Sequence, residues 1–263
     1  MKPPRGKGFD AFEIALLCAL YLGILWGPGP GVATNGLAPL VLALAVAAFL
    51  YAAWISPVWI HRDPAAVRGF GSWRTGLLRT DNLRAALRVY GTVAAAATAA
   101  IALGTLAADP AAFGRLDAHS FFLKLGLYVV GAAGQQTFFL AVFVVRLRAI
   151  LGLGERPAAP AAAREWERRR LRLGLAAGAI FCVLHAPNPP LMAAALSGGA
   201  AFAWLYCRTP NFFVVVLCHA WIGTLLHRLA GVCMRTGPFY WKRDGHVMRV
   251  LFPPLKHWIG NLW

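Results

Sequence analysis

Acidic side chains are scarce in this chain, which has 10 Asp and Glu residues among 263 against 26 Lys and Arg residues. By position, the ten lie in predicted loops, in the terminal segments or in the first turn of the first predicted helix. Carboxylates serve as general bases and metal ligands in many hydrolases. We therefore expect a protein core that contains no carboxylate for such chemistry.

Paired cysteines and metal-binding motifs are also missing. The five cysteines are scattered, and the sequence contains neither a CxxC nor an HExxH motif, so no disulfide framework or zinc motif is indicated. A zinc set remains an open alternative, since Cys182 and His185 share a helix face, as do His219 and His227. We nevertheless predict neither a metal nor another cofactor. The first apolar run ends without a small-x-small cleavage site, which indicates an uncleaved first helix.

Long apolar segments, by contrast, are abundant. Hydrophobic residues make up 59% of the chain, and its mean hydropathy is +0.59. A helix needs roughly 17–25 apolar residues to cross a bilayer. Seven segments meet that requirement approximately: 11–28, 37–60, 87–107, 121–145, 171–187, 190–206 and 211–233. We predict an all-α integral membrane protein, a bundle of about seven or eight transmembrane helices forming one polytopic domain over residues 1–263.

The basic residues collect between the apolar segments. The stretch 61–88 contains six arginines and the stretch 146–172 contains eight, whereas 29–36 and 108–118 together contain one. By the positive-inside rule, this asymmetry places the N-terminus and both basic loops in the cytoplasm, and we expect a bacterial inner membrane. The loops would contact anionic lipids. We predict no nucleic-acid partner.

The basic, aromatic tail at 234–263 conflicts with this topology. Seven spans would place the tail outside the cell, yet its five Lys and Arg residues and one Asp are typical of the inside. Two interpretations remain open: the span count differs by one, or the tail lies along the membrane surface as an amphipathic segment.

Polar residues interrupt three successive long helices. The fourth predicted span contains Gln135 and Gln136, the fifth contains His185 and the seventh contains His219. A histidine at membrane depth is costly and usually faces a protein interior or a wet cavity. A proline-rich break at 187–190 also favours a cavity, because broken helices are tolerated where the backbone lines one. Hydrogen bonding between helices is the alternative explanation for these residues.

The order of these residues resembles the CAAX-protease and bacteriocin-processing (CPBP) family of intramembrane glutamic endopeptidases. That family has Glu-Glu-x-x-x-Arg, then Phe-x-x-x-His, then His-x-x-x-Asn/Asp on three helices. The resemblance covers about residues 120–230, and it implies a pocket for a membrane-embedded peptide or a lipid-modified protein substrate. It implies catalytic positions at Gln135, Gln136, His185 and His219, and binding positions at Phe181, Asn188 and Gly223.

The departures from the family pattern fall on the chemistry. Gln135 and Gln136 replace both glutamates, Leu140 stands at the arginine position, and Gly223 replaces the Asn/Asp. A glutamine amide cannot act as a general base near neutral pH, and losing such a base costs roughly 10²–10⁴-fold in rate.

Three functions therefore remain. One is an altered peptidase in which a neutral histidine acts as the base. Another is an inactive homologue that binds or shields a partner. The third is a small-molecule or ion carrier, which the absence of intramembrane charge and of internal repeats disfavours.

Overall fold

The computed structural model describes residues 6–26, 38–60, 80–234 and 236–237. Within these residues the protein is all-helical and contains no strand, which confirms the predicted helical class. Short π-helical stretches extend the second helix over Tyr51–Ile60 and interrupt the fourth helix over Phe139–Val144. The helices are α1 (Lys7–Trp26), α2 (Ala38–Leu50), α3 (Leu83–Ala108), α4 (Ala118–Ile150), α5 (Pro160–Val183), α6 (Pro189–Tyr206) and α7 (Phe212–Arg228).

Two of the described helices, α3 and α4, are long and apolar enough to cross a membrane. α3 has 26 residues and α4 has 33 residues. At about 1.5 Å per residue, each exceeds the roughly 30 Å thickness of a bilayer core. α7 is a shorter apolar helix. α3 leaves large apolar side chains exposed, with Leu103 67% accessible, as a lipid-facing surface would.

Side-chain caps fix where three of the helices begin. Asp117 accepts a hydrogen bond from the Ser120 backbone N–H at 2.7 Å and begins α4. Asn188 and Asn211 accept comparable bonds at the starts of α6 and α7. Asx residues are favoured at this position because they satisfy unpaired helical N–H groups. The predicted break at 187–190 is present between α5 and α6.

The end of α5 differs from the prediction. The predicted fifth span continues to residue 187, but α5 ends at Val183, so His185 lies in the turn that follows the helix. The turn exists because proline restricts the preceding residue and cannot donate a helical hydrogen bond. The histidine side chain is therefore supported by a turn instead of a helix.

α5 and α6 form a closely packed hairpin. A Cβ atom on Gly178 would lie 2.5 Å from the Leu196 carbonyl oxygen, and one on Gly199 would lie 3.2 Å from the Phe181 Cβ. Small residues allow helix backbones to approach in this way. Phe181, in the last turn of α5, and His185, in the turn that follows, therefore lie at the closed end of the hairpin. There Phe181 contacts His219 of α7.

α7 packs against α3 and α4, and polar contacts fix it there. The Trp221 indole donates to Thr98 Oγ1 at 2.9 Å, and the Tyr90 hydroxyl donates to the Thr209 carbonyl at 3.2 Å. These contacts set the rotation of α7 that directs His219 toward α4.

A buried ion cluster joins α1, α2 and the last turns of α4. Arg146 donates to Glu13 Oε2 at 2.7 Å and to Ser56 Oγ at 2.7 Å, while Asp10 lies 3.9 Å from its Nε. The hydroxyls of Ser56 and Tyr51 donate to Glu13. Glu13 is 1% exposed and Asp10 is 5% exposed. The expectation of a core without carboxylates is therefore wrong, because Arg146 and the hydroxyls compensate the buried charge.

Most of the predicted tail at 234–263 and of the basic loop at 61–88 lies outside the described residues. The described start of the tail folds back over the break between α5 and α6. There the Gly237 N–H donates to the Ala186 carbonyl at 2.9 Å. The segment leading into the tail therefore contacts the turn that contains His185.

Candidate functional site

Gln136 and His219 meet between α4 and α7. Gln136 is fully buried, and its amide Nε2 lies 2.6 Å from Nδ1 of His219. Since the amide nitrogen donates, Nδ1 accepts, and a neutral His219 has its proton on Nε2. Gln136 therefore fixes both the orientation and the tautomer of His219.

Tyr128 contacts the other side of His219. Its hydroxyl oxygen lies 3.5 Å from His219 Nε2, and the two rings meet edge to face with centroids 5.8 Å apart. A Cβ atom on Gly223 would overlap Tyr128 Cε1. The ring of Tyr128 thus fills the space that a side chain at 223 would need, which explains the glycine at that position.

His185 is oriented by its own turn. Its Nδ1 lies 2.6 Å from the Phe181 carbonyl oxygen. A carbonyl only accepts, so Nδ1 has the proton, and Nε2 of the neutral ring keeps its lone pair. The Phe181 ring lies against both imidazoles, with centroids 4.5 Å from His185 and 6.1 Å from His219. Phe181 therefore contacts both histidines.

The larger of two cavities beside these residues has a volume of about 210 Å³. Its walls are mainly aromatic and aliphatic, and they include the polar side chains of Tyr21, Gln135 and His185. The Oε1 atom of Gln135 is buried and has no hydrogen-bond partner among the described residues. An unpaired buried carbonyl is costly, and this one belongs to a residue in the wall of the cavity.

The smaller cavity has a volume of about 60 Å³ and also borders Phe181. Tyr128, His185, His219 and Gly223 are among its lining residues. His185 and Phe181 line both cavities, whereas Gln135 lines only the larger one. The two neighbouring glutamines therefore differ in role, because Gln136 holds His219 and Gln135 faces the larger cavity.

Asn188 has a structural role in the break between α5 and α6. Besides capping α6, its Nδ2 donates to the Cys233 carbonyl at 2.6 Å. It is fully buried and does not line either of the two cavities. Among the sequence-predicted site residues, the geometry thus brings together Gln135, Gln136, Phe181, His185, His219 and Gly223 and leaves Asn188 apart.

The side chains of the alternative zinc set do not come together among the described residues. In the part of the chain that is described, no group of three His, Cys, Asp or Glu side chains is arranged to hold a metal ion. His227 lies near the end of α7, where its Nδ1 is 3.2 Å from the Val232 carbonyl oxygen. It therefore does not belong to the pair formed by His185 and His219.

Sequence reasoning missed Tyr128 and the cluster around Arg146. Tyr128 precedes Gln136 by eight residues, slightly more than two helical turns, so the helical period alone puts both on one face of α4. Asp10 and Glu13 are three residues apart in an otherwise apolar helix, which was a usable signal for a buried basic partner. Leu140 occupies the position where the family resemblance expects arginine, and Arg146 pairs with Glu13 instead.

Comparisons with protein-family models, with curated proteins and with solved structures give no match for this chain.

Proposed function

We propose that this chain is a multi-pass membrane protein that binds an apolar, membrane-embedded segment of a peptide or lipid-modified protein. Binding, not glutamate-dependent cleavage, is the role proposed for the site. The observation that carries the proposal is the cavity of about 210 Å³, whose apolar walls present Gln135 and His185. Ligand sites in proteins are typically concave and mostly apolar, with a few placed polar groups.

The lipid-exposed character of α3 and α4 supports a membrane location. The arginine-rich stretches at 61–88 and 146–172 favour a cytoplasmic N-terminus and two cytoplasmic basic loops that contact anionic lipids. The proposed topology has seven spans, formed by the apolar parts of α1 to α7 (in α5, the part from residue 171 onward), in the inner membrane of a bacterium.

Two observations argue against glutamate-dependent hydrolysis. The described residues that line the two cavities include no carboxylate, and the buried carboxylates of Asp10 and Glu13 face Arg146. Gln136 is engaged with His219 and, as an amide, cannot take a proton from water near neutral pH. The resemblance to CPBP endopeptidases then describes a homologue that retains a binding site.

A second candidate is an altered peptidase, and the geometry of His185 favours it specifically. Nε2 of His185 keeps its lone pair and the ring lines both cavities. A neutral imidazole in that position could act as a general base toward water. The experiment below distinguishes the two candidates.

The test is photolabelling of the full chain in lipid nanodiscs. The probe is a synthetic apolar 20-residue peptide that contains a diazirine, and labelled sites are mapped by mass spectrometry. We expect saturable labelling of the larger cavity at Phe138 and Phe139, competed by unlabelled peptide, with the probe recovered intact. The lipid-facing Val130, which is 74% exposed, serves as the internal reference.

Labelling of Val130 equal to that of the cavity residues, without competition, would contradict binding. A cleaved probe whose formation requires His185 would favour the altered peptidase. The control is His227→Ala, since His227 does not line either cavity.

A further inference from the structure

The hydrogen bonds around His219 have a defined direction. The Gln136 amide donates to Nδ1, which leaves the proton on Nε2, and Nε2–H then points at the Tyr128 hydroxyl oxygen 3.5 Å away. Tyr128 is the acceptor in this contact. Its own O–H proton is therefore available in a direction other than His219.

The smaller cavity consequently has one donor and one acceptor on its wall. Tyr128 lines it and supplies the O–H donor, while His185 lines it and supplies the Nε2 lone pair, because its Nδ1–H is committed to the Phe181 carbonyl. Among the described residues that line it, there is no Lys, Arg, Asp or Glu side chain. Such a wall suits an uncharged group that can both accept and donate a hydrogen bond.

We propose that Tyr128 and His185 together recognise a backbone amide of the bound peptide, with the carbonyl oxygen accepting from Tyr128 and the amide N–H donating to His185. This inference rests on the proposed function, since it specifies which part of the peptide the site contacts. A secondary amide is the repeating group of a peptide, and it has the required acceptor and donor.

The arrangement of the two cavities agrees with an occupant of this kind. Phe181 and His185 line both, so an amide in the smaller cavity has its attached apolar group next to the larger one. The smaller cavity, at about 60 Å³, has room for a few water molecules or a small polar group, since one water needs roughly 10–15 Å³ by this measure. The larger cavity, of about 210 Å³, receives the apolar group.

Tyr128 is a part of this site that no sequence motif indicates, and it packs against Gly223. The ring of Tyr128 rests against Gly223, and a Cβ at that position would lie 2.9 Å from Tyr128 Cζ and 3.0 Å from its hydroxyl oxygen. The glycine therefore holds the ring in the position that brings its hydroxyl to the cavity. Tyr128→Phe keeps the ring in this space and removes only the hydroxyl, so it separates recognition from packing.

The test compares two matched photoreactive probes on the full chain in nanodiscs. One is a capped apolar dipeptide with a diazirine, and the other is its depsipeptide, in which an ester oxygen replaces the amide N–H. In the native chain we expect half-saturation of labelling at roughly threefold to tenfold lower concentration for the amide than for the ester, as one net hydrogen bond implies. Tyr128→Phe should weaken labelling by both probes by a similar factor, because the hydroxyl contacts the carbonyl common to both.

The matched control is Tyr90→Phe, which also removes a tyrosine hydroxyl, here one that is bound to the Thr209 carbonyl on a residue that lines neither cavity. It should leave both labelling curves unchanged. Saturable labelling with equal curves for amide and ester, and no effect of Tyr128→Phe, would overturn the recognition proposal while binding stands. An absence of saturable labelling by either probe, in a chain that the 20-residue peptide still labels, would also overturn it. If that longer peptide fails as well, the proposed function itself fails.

Discussion

Two buried polar groups of this protein differ in how completely they are paired. In the Arg146 cluster (Asp10, Glu13, Tyr51, Ser56 and Arg146), opposite charges meet and the hydroxyls donate to the carboxylate of Glu13. In the His219 site (Tyr128, Gln136, His185 and His219), all groups are neutral and the Gln136 Oε1 atom has no partner among the described residues. Only the His219 site borders the two cavities described above.

The difference distinguishes the Arg146 cluster, which stabilises the fold, from the His219 site, for which we propose a role in recognition. A satisfied network of charges rigidifies the helices that it joins, whereas an incompletely paired one needs an explanation, such as a ligand. The Arg146 cluster joins α1 and α2 to the end of α4. The His219 site, which joins α4, α7 and the turn after α5, contains a buried carbonyl oxygen, Gln136 Oε1, that has no partner among the described residues.

The largest effect is expected from Arg146→Met. The substitution leaves the carboxylate of Glu13, which is 1% exposed, without its cation. Breaking a buried pair in this way costs about 3–5 kcal/mol. We expect a loss of that size in the free energy of unfolding, measured by denaturation in mixed micelles. Arg148→Met is the control, and an equal loss for both variants would contradict the structural role of the cluster.

Gly223→Ala should have the next largest effect. The new Cβ would overlap the Tyr128 ring, and overpacking of a filled site costs about 1–3 kcal/mol. Gly198→Ala is a matched control, because a Cβ there meets nothing within 4 Å. The same denaturation measurement should show the loss at 223 only, and adding Tyr128→Ala to Gly223→Ala should recover part of it. No recovery would mean that the ring and the glycine are not complementary.

Gln136→Leu tests the polar contact within the His219 site. It removes the donor to His219 Nδ1, and one intramolecular hydrogen bond is worth about 0.5–1.5 kcal/mol net. Gln135→Leu, on the adjacent residue, should cost less, because both substitutions remove a buried carbonyl that has no partner among the described residues, whereas only Gln136→Leu also removes the hydrogen bond to His219. Unfolding measurements that rank the two variants in the opposite order would show that the glutamines have been assigned the wrong roles.

The smallest effect is expected at the exposed pair Glu165–Arg169. The hydrogen bond from Arg169 lowers the pKa of Glu165, so this interaction stabilises the fold at neutral pH and is lost as the pH falls through that lowered pKa. Both side chains are 43% exposed, where solvent screens such pairs. Glu165→Gln should therefore leave the unfolding midpoint at pH 7 unchanged within error, and a shift comparable to that of Arg146→Met would remove the distinction between buried and exposed charge.

Hydropathy was sufficient to predict the helices, because apolar runs and proline breaks depend on local sequence. It also identified Gln136, His185 and His219, since polar residues are conspicuous in such runs. The spacing of Asp10 and Glu13 indicates a buried basic partner, but the identity of that partner was not predictable, because Arg146 is 133 residues away from Glu13 in sequence and the pairing depends on how α1 packs against α4. The Tyr128–Gly223 contact was missed for the same reason, since it depends on the rotation of α7 against α4.

The central claim is that the neutral His219 site binds a membrane peptide without cleaving it. The most direct measurement compares the N- and C-termini of membrane and exported proteins in cells expressing the native chain with those in cells expressing His185→Ala at equal levels. The account predicts the same set of termini in both. A cleavage product that is present with the native chain and absent with His185→Ala would contradict it and would identify the substrate of an altered peptidase.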